Sequence, residues 1–317
     1  ERTMRFRDKI KKPQRPVVSY EILPPREKDG TLNTYAETIS SLLSQTHIDA
    51  INIPEVREEE GRGQRPVSNQ NRGEPREFGR LLQDIVGIEA IINRVVVHNS
   101  FDNQLKWFEE THKIYEIENM IIVGGESSKI NYIGPTVNEV LEAVSFRYNS
   151  KGGDIFCGGI AIPSRNNESK NLIKKSSFGS EFFTTQVLCD SENIIKMIDR
   201  YQSRCNEKNT FPRRILLSFA PISSIKNIEF LKWLGVEIPK DTEKYLMGRP
   251  GSMAERSLDI AIEVMNQILN HIIEKKLKVP IGLNVEHIMS YNFQLSVEML
   301  QELARIYREF CIKSNHY

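Results

Sequence analysis

The length, composition and charge of the chain narrow its class. It has 317 residues, of which 39% are hydrophobic and 27% are charged, as expected of a globular protein with a sizeable core. The 43 lysine and arginine residues nearly balance the 42 aspartate and glutamate residues, so net charge does not favour binding to nucleic acid. The four cysteines form no CxxC pair, which argues against a zinc site or a redox dithiol and fits a reducing, cytoplasmic setting. No run reaches the roughly 20 apolar residues that span a membrane, so we expect no membrane association.

Short β-branched runs alternate with amphipathic stretches along the whole chain, a pattern typical of repeated βα units. The sequence predicts eight strands, at residues 17–23, 50–54, 94–98, 120–125, 155–162, 182–188, 214–220 and 279–286. Eight such units close most simply into an α/β fold of the (β/α)8 TIM barrel type, with the active site at the carboxyl ends of the strands. An open doubly wound sheet is the alternative, but it would be expected to show a GxGxxG turn after its first strand, where this chain reads ILPPREKDG. We therefore expect one barrel domain over residues 1–317.

One predicted connection differs from the others. Residues 55–75 are polar, rich in glycine and proline, and longer than usual βα loops. The segment follows the second strand on the expected catalytic side. It is interpreted either as a lid or substrate loop or as a solvated insertion.

Glu21 is the most informative single residue, because it lies in an otherwise apolar strand just before Pro24 and Pro25. A carboxylate in such a place is costly unless it is paired or used. At the barrel mouth, partial desolvation would raise its pKa towards the range that suits a general acid. A structural ion pair with a neighbouring strand is the alternative.

Other polar residues lie at predicted strand ends. Glu126 follows Gly124 and Gly125, whose missing side chains would let a ligand approach the backbone, although plain turns have the same pattern. Gln186 interrupts an apolar strand with an amide that can both donate and accept hydrogen bonds to a ligand, although neighbouring backbone could satisfy it as well. His98 could contact a cofactor, but a lone histidine is more often structural.

Two further residues share a predicted helix face, and several reaction classes have no motif. Glu168 and Lys175 are seven residues apart, two helical turns; alone, this describes a solvated face. No His, Cys or carboxylate set has metal-ligand spacing, so no metal is expected, and neither a GxSxG elbow nor a phosphate-binding GxxxxGK[ST] is present. Metal hydrolases, acyl transferases and NTPases are therefore disfavoured.

Several segments, in order and at similar spacing, resemble the methylenetetrahydrofolate reductase family. SYEILPP resembles the family's opening SFEFFPP, and residues 123–126 (VGGE) lie where the family has LRGD. Residues 160–163, 184–186, 217–222 and 283–284 resemble its AAYP, ITQ, PGILPV and LN segments. The resemblance covers nearly the whole chain and implies a barrel that reduces a methylene group carried by a folate or related pterin.

The resemblance also implies residue roles. Glu21 matches the general acid, and Glu126 matches the acid beside flavin and pterin, where it would stabilise an iminium cation. The substrate residues are Gln186, which matches the residue that holds the folate, Asn52, Asn284 and Ile225, at the position of a phenylalanine that packs on folate. The implied cofactor-binding residues are His98, Gly124, Gly125, Ala161, Glu168 and Lys175.

Departures from the family pattern bear on the cofactor. The arginine of LRGD is Gly124 here, its aspartate is lengthened to Glu126, and the arginine after the late LN is Val285. The segment INIPEVREEEGRGQRPV resembles a branch of the family that works without flavin. The resemblance thus leaves open whether NAD(P)H gives its hydride directly to the pterin or through FAD.

Two other functions remain open from the sequence. One is a methyltransferase that passes a methyl group from a pterin to a corrinoid protein. The other is a non-catalytic barrel that binds folate or docks a partner subunit, although Glu21 would have little purpose there. The expected partner is a small pterin, and either a homo-oligomer or a partner subunit is compatible with the sequence.

Overall fold

Eight parallel strands close into a barrel in sequence order, with β8 paired to β1. The computed structural model describes residues 4–55, 72–125, 129–248, 252–287 and 292–314. The strands are β1 (Val18–Ile22), β2 (Ala50–Ile53), β3 (Glu89–Val95), β4 (Asn119–Val123), β5 (Phe156–Ala161), β6 (Phe182–Val187), β7 (Arg214–Phe219) and β8 (Ile281–His287). The expected (β/α)8 TIM barrel is confirmed.

Helices connect the strands and surround the barrel. They are α1 (Phe6–Ile10), α2 (Leu32–Leu43), α3 (Pro75–Val86), α4 (Phe101–Lys113), α5 (Val137–Glu142), α6 (Glu168–Ser177), α7 (Glu192–Glu207), α8 (Ile225–Trp233), α9 (Lys240–Leu246), α10 (Met253–Lys275) and α11 (Phe293–Lys313). A π-helical segment, Ala143–Tyr148, continues α5. Several helices begin where a side chain caps the backbone; Ser252, for example, forms a capping box with Glu255 at the start of α10. Among the described residues, no helix has the length and apolar character needed to cross a membrane.

The third strand is the one that the sequence misplaced. It was predicted at residues 94–98, but β3 runs from Glu89 to Val95, so His98 lies beyond its end. Within β3, the apolar residues 90–92 are followed by Asn93 and Arg94, and these two polar residues interrupt the apolar pattern of the strand. Both are buried because Asn93 donates to Asn52 and Arg94 pairs with Glu55.

The barrel interior has an apolar lower layer. Apolar side chains from most strands meet there, with Phe6 and Ile10 of α1 closing the amino end. The guanidinium of Arg214, fully buried, donates to the carbonyls of Ile10, Lys12 and Ile281 at 3.2, 2.6 and 2.7 Å. Because described residues close this end, the carboxyl end is the expected side for a ligand.

Two parts of the sequence interpretation stay predictions. Most of the polar connection at 55–75 lies outside the described residues, since only residues 55 and 72–75 of it are described. Its interpretation as a lid is therefore a prediction. The assignment of residues 1–317 to one domain is a prediction as well.

Candidate active site

A polar cluster lies above the apolar layer, at the carboxyl ends of β1, β2 and β8, and Glu21 is its centre. Asn52 Nδ2 donates to Glu21 Oε1 at 2.7 Å, and Asn284 Nδ2 reaches the same oxygen at 3.3 Å. Parallel pairing produces this meeting, because Glu21 stands opposite Asn52 in β2 and two residues beyond the Ser19–Asn284 pair of β1 and β8. Three predicted site residues are thus brought together.

The two asparagines are themselves held by hydrogen bonds. The side-chain amide of Asn93 donates to Asn52 Oδ1. Ser19 Oγ donates to Asn284 Oδ1 at 2.7 Å, and Asn284 Nδ2 also contacts Ser218 Oγ at 3.0 Å. Each amide is therefore fixed with its nitrogen towards Glu21, and the network holds the Glu21 carboxyl in one orientation.

A second carboxyl group, which the sequence analysis did not single out, lies beside the first. Glu286 of β8 is in register with Glu21 of β1, so the two carboxyl groups lie side by side and affect each other's pKa. Glu286 Oε2 is buried and accepts no hydrogen bond from the described residues. The signal in the sequence was the same as for Glu21, namely an acid that interrupts an apolar strand, GLNVEH.

The ionisation of the two acids is strongly perturbed. Desolvation raises the pKa of Glu21 above its usual range, although hydrogen bonds with Glu286 and Asn284 oppose part of this rise. Desolvation and then the charge of Glu21 raise the pKa of Glu286 well above its usual range. A carboxyl group at this position can therefore hold a proton at a pH where an isolated glutamic acid would be ionised.

Gln186 lies at the carboxyl end of β6, but its hydrogen bond points elsewhere. Its amide nitrogen contacts the carbonyl oxygen of Leu234 at 3.5 Å, which is long for a hydrogen bond. The β6–β7 register shifts between Thr184 and Val187, around this residue. Gln186 is half-buried, and its weak contact leaves the amide able to exchange partners.

Of the two glycines after β4, Gly125 lies under an aromatic ring and Gly124 lies beside a valine. A Cβ atom on Gly125 would be 2.2 Å from Tyr132 Cε2, so the ring makes the close approach that only glycine allows. The same ring packs edge-to-face against the imidazole of His98, with centroids 5.7 Å apart. A Cβ atom on Gly124 would meet Val137 at 3.1 Å. Glu126, which follows, lies outside the described residues.

Glu168 and Lys175 are brought together in α6, as their spacing predicted. Glu168 is fully buried, with Lys175 Nζ 4.0 Å from its Oε1, while the same ammonium donates to the carbonyl of Ile160 at 2.8 Å. Burial lowers the pKa of Lys175, and the charge of Glu168 opposes this. Neither Glu168 oxygen accepts a hydrogen bond from the part of the chain that the structure describes.

These residues fit a flavin poorly. The two Glu168 oxygens would accept from a ribose, but the cavity beside them is about 160 Å³, smaller than the roughly 300–1,000 Å³ of ligand pockets. Ala161 has no exposed surface, and the Tyr132 ring covers Gly125. We therefore derive no step through a flavin.

The remaining predicted residue, Ile225, begins α8 and is 55% exposed. An exposed isoleucine on the carboxyl side of β7 is available to an incoming ligand.

Within the described ranges, no group of three histidine, cysteine or acidic residues could hold a metal ion.

The fold and the site define a (β/α)8 barrel with a desolvated acid at the carboxyl ends of its strands. Residues 5–300 match the model of the methylenetetrahydrofolate reductase family. Because this match covers nearly the whole chain, the protein belongs to that family. No curated protein matched the chain.

A solved structure has the same fold. It is an uncharacterized protein from Clostridium thermocellum that binds two copies of 5-methyl-5,6,7,8-tetrahydrofolic acid. The match has a TM-score of 0.73 and 22% sequence identity, and it covers 92% of this chain and 95% of that one. At this identity the likeness establishes the fold.

Proposed function

We propose that this protein reduces the methylene group of 5,10-methylenetetrahydrofolate, or of a related methylene-pterin, to a methyl group with hydride from NAD(P)H. The observation that carries the proposal is the Glu21 carboxyl group, held at the barrel mouth by Asn52 and Asn284 with a raised pKa. Family membership supports the reaction class, and the methyltetrahydrofolate bound by the Clostridium thermocellum protein supports the ligand class.

The chemistry needs one proton and one hydride. As the five-membered ring opens, the C–N bond breaks, its electron pair stays on nitrogen, and Glu21 supplies a proton to that nitrogen. The methylene carbon is left as an iminium cation, which takes a hydride from NAD(P)H and becomes the methyl group. The products are methyl-pterin and NAD(P)+, with one proton consumed.

The chain's own residues have distinct parts in this reaction. Asn52 and Asn284 orient the Glu21 carboxyl group, so its position is fixed before the substrate arrives. Gln186 binds the pterin edge, exchanging its weak contact with Leu234 for hydrogen bonds to the ligand. Ile225 provides an apolar contact, and Glu126 is assigned to stabilise the cation.

We propose direct hydride transfer, because the described residues fit a flavin poorly. The cavity beside Glu168 is only about 160 Å³, and Gly124 supplies no side chain where the family has an arginine. Addition of FAD should therefore leave the rate unchanged.

A pterin-dependent methyl transfer is the second candidate. The observation in its favour is that the Clostridium thermocellum protein binds the methylated folate, which is the product of reduction and also the donor in methyl transfer. Glu21 could protonate the pterin nitrogen in either reaction. Only the reduction consumes NAD(P)H.

The test is anaerobic oxidation of NADH and of NADPH by the purified protein with methylenetetrahydrofolate, without and with FAD. Oxidation coupled to methyltetrahydrofolate formation supports the proposal, and FAD independence supports direct transfer. A protein that binds methyltetrahydrofolate but oxidises neither nucleotide would refute it in favour of methyl transfer. Glu21→Gln, which removes the proposed proton donor, should lose most of the rate. Glu37→Gln, which changes an exposed glutamate on α2 in the same way, is the matched control and should retain the full rate.

A further inference from the structure

Glu286 has no role in the proposed reaction so far, yet it lies beside the proposed proton donor. The β1–β8 pairing that closes the barrel places Glu286 directly opposite Glu21. Neighbouring strands are about 4.8 Å apart, so the two carboxyl groups lie side by side, and each changes the pKa of the other. Ionised carboxylates only accept hydrogen bonds, so the two groups can hydrogen-bond to each other only when one of them carries a proton.

The surrounding donors indicate which acid holds this proton at rest. Glu21 Oε1 accepts from Asn52 at 2.7 Å and from Asn284 at 3.3 Å, which favours the ionised form of Glu21. Glu286 Oε2, by contrast, is buried and accepts no hydrogen bond from the described residues. An unpaired buried carboxylate oxygen is costly, and a proton on the Glu286 carboxyl that is donated to Glu21 removes this cost.

The described residues place no positive charge on the pair. Among the described residues, no lysine, arginine or histidine pairs with either acid, and the side chains that face them are Asn52 from β2 and Asn284 from β8, with Ser19 and Ser218 behind Asn284. None of these groups titrates near neutral pH. Two adjacent like charges without a cation cannot both ionise readily, so the pair retains one proton.

We propose that Glu21 and Glu286 share a single proton at the barrel mouth, and that Glu286 is a positioning residue that keeps this proton available to Glu21. When Glu21 protonates the substrate nitrogen, the shared proton leaves the pair, both acids are then ionised, and a proton from water restores the resting form. The use of the proton rests on the proposed reduction, whereas the sharing itself can be tested without turnover.

The first experiment is a pH titration of the protein labelled with 13C at the glutamate carboxyl carbon, followed by NMR. Wild-type protein, Glu286→Gln and Glu21→Gln are compared. In the wild type, the pair should titrate in two separated steps, the upper one above the usual glutamate range. In Glu286→Gln the upper step should disappear and Glu21 should titrate as a single group at lower pH. An unchanged Glu21 titration in Glu286→Gln would overturn the proposal.

The second experiment measures kcat and KM against pH. In Glu286→Gln, the pH at which kcat declines should move downwards with KM unchanged, so that kcat falls about tenfold above it for each pKa unit of the shift. Glu286→Asp, which restores a titratable acid, should return part of the lost range. If Glu286→Gln does not fold, as judged by circular dichroism, Glu286→Asp takes its place in both experiments and should narrow the separation of the two steps.

The two experiments separate the two proposals. If the wild type shows no turnover but its carboxyl pair titrates in two steps, the proton sharing stands and the reduction fails. If turnover occurs and Glu286→Gln changes neither the titration nor the pH profile, the reduction stands and the role of Glu286 is rejected.

Discussion

Replacement of Glu21 by glutamine separates a catalytic role of the residue from a structural one. Glutamine keeps the length of the side chain, and its carbonyl oxygen can still accept from Asn52 and Asn284, which contact Glu21 at 2.7 and 3.3 Å. Alanine would be a poorer test. It would leave the buried amide of Asn52 without its acceptor, at a cost of about 1–3 kcal/mol in folding stability, whereas the Asn284 amide would keep its contact with Ser218.

Glu21→Gln should therefore fold and bind methyltetrahydrofolate with a Kd within about threefold of the wild type. Its turnover should fall by a factor of about 10² or more, or about 2.7 kcal/mol of transition-state stabilisation, because the variant cannot supply the proton. The assay pairs stopped-flow oxidation of NAD(P)H with isothermal titration of methyltetrahydrofolate. Near-normal turnover would refute the assignment of Glu21, and equal losses of binding and turnover would indicate a structural role.

Three further predictions concern stability, each measured by urea unfolding. Arg214→Met should lower the free energy of unfolding by about 3–5 kcal/mol, because the buried carbonyl groups of Ile10 and Ile281 and the partly buried one of Lys12 lose a charged donor; a loss below about 1 kcal/mol would contradict this. Gly125→Ala should cost about 1–3 kcal/mol, because its Cβ would lie 2.2 Å from Tyr132, and a neutral result would show that the ring moves freely. Glu286→Gln should be more stable than the wild type at pH 8 but not at pH 4. The folded-state pKa of Glu286 is raised, so the stability that its carboxyl group contributes is fully present below about pH 4.3 and is lost as the pH rises through the folded pKa. A stability difference between the variant and the wild type that does not change with pH would refute this.

The fold was predictable because hydrophobic patterning and segment length are local properties. Seven of the predicted strands overlap the observed ones closely. The prediction for the remaining strand, β3, is displaced towards His98. The error arose because Asn93 and Arg94 are buried polar residues whose partners, Asn52 and Glu55, lie about 40 residues away in sequence. A local pattern does not contain such partners.

The candidate site was predictable in part. Glu21 was identified as an acid within an apolar strand, and the family resemblance pointed to Asn52 and Asn284. In the structure, both asparagine amides donate hydrogen bonds to the Glu21 carboxyl group. Glu286 carried the same signal but was passed over. Barrel closure pairs β8 with β1, and only this long-range pairing brings the two acids together. The contact of Gln186 with Leu234 could not be predicted, because it lies where the β6–β7 register is irregular and the sequence does not reveal that irregularity.

The most direct test of the central claim follows the hydride itself. The protein is incubated anaerobically with methylenetetrahydrofolate and either NADH or NADPH that carries deuterium at both C4 positions of the nicotinamide ring, and the methyltetrahydrofolate is examined by mass spectrometry. Direct transfer predicts one deuterium in the methyl group with one of the two nucleotides, at the same level with and without FAD. Methyltetrahydrofolate without deuterium, or no product with either nucleotide, would contradict the claim.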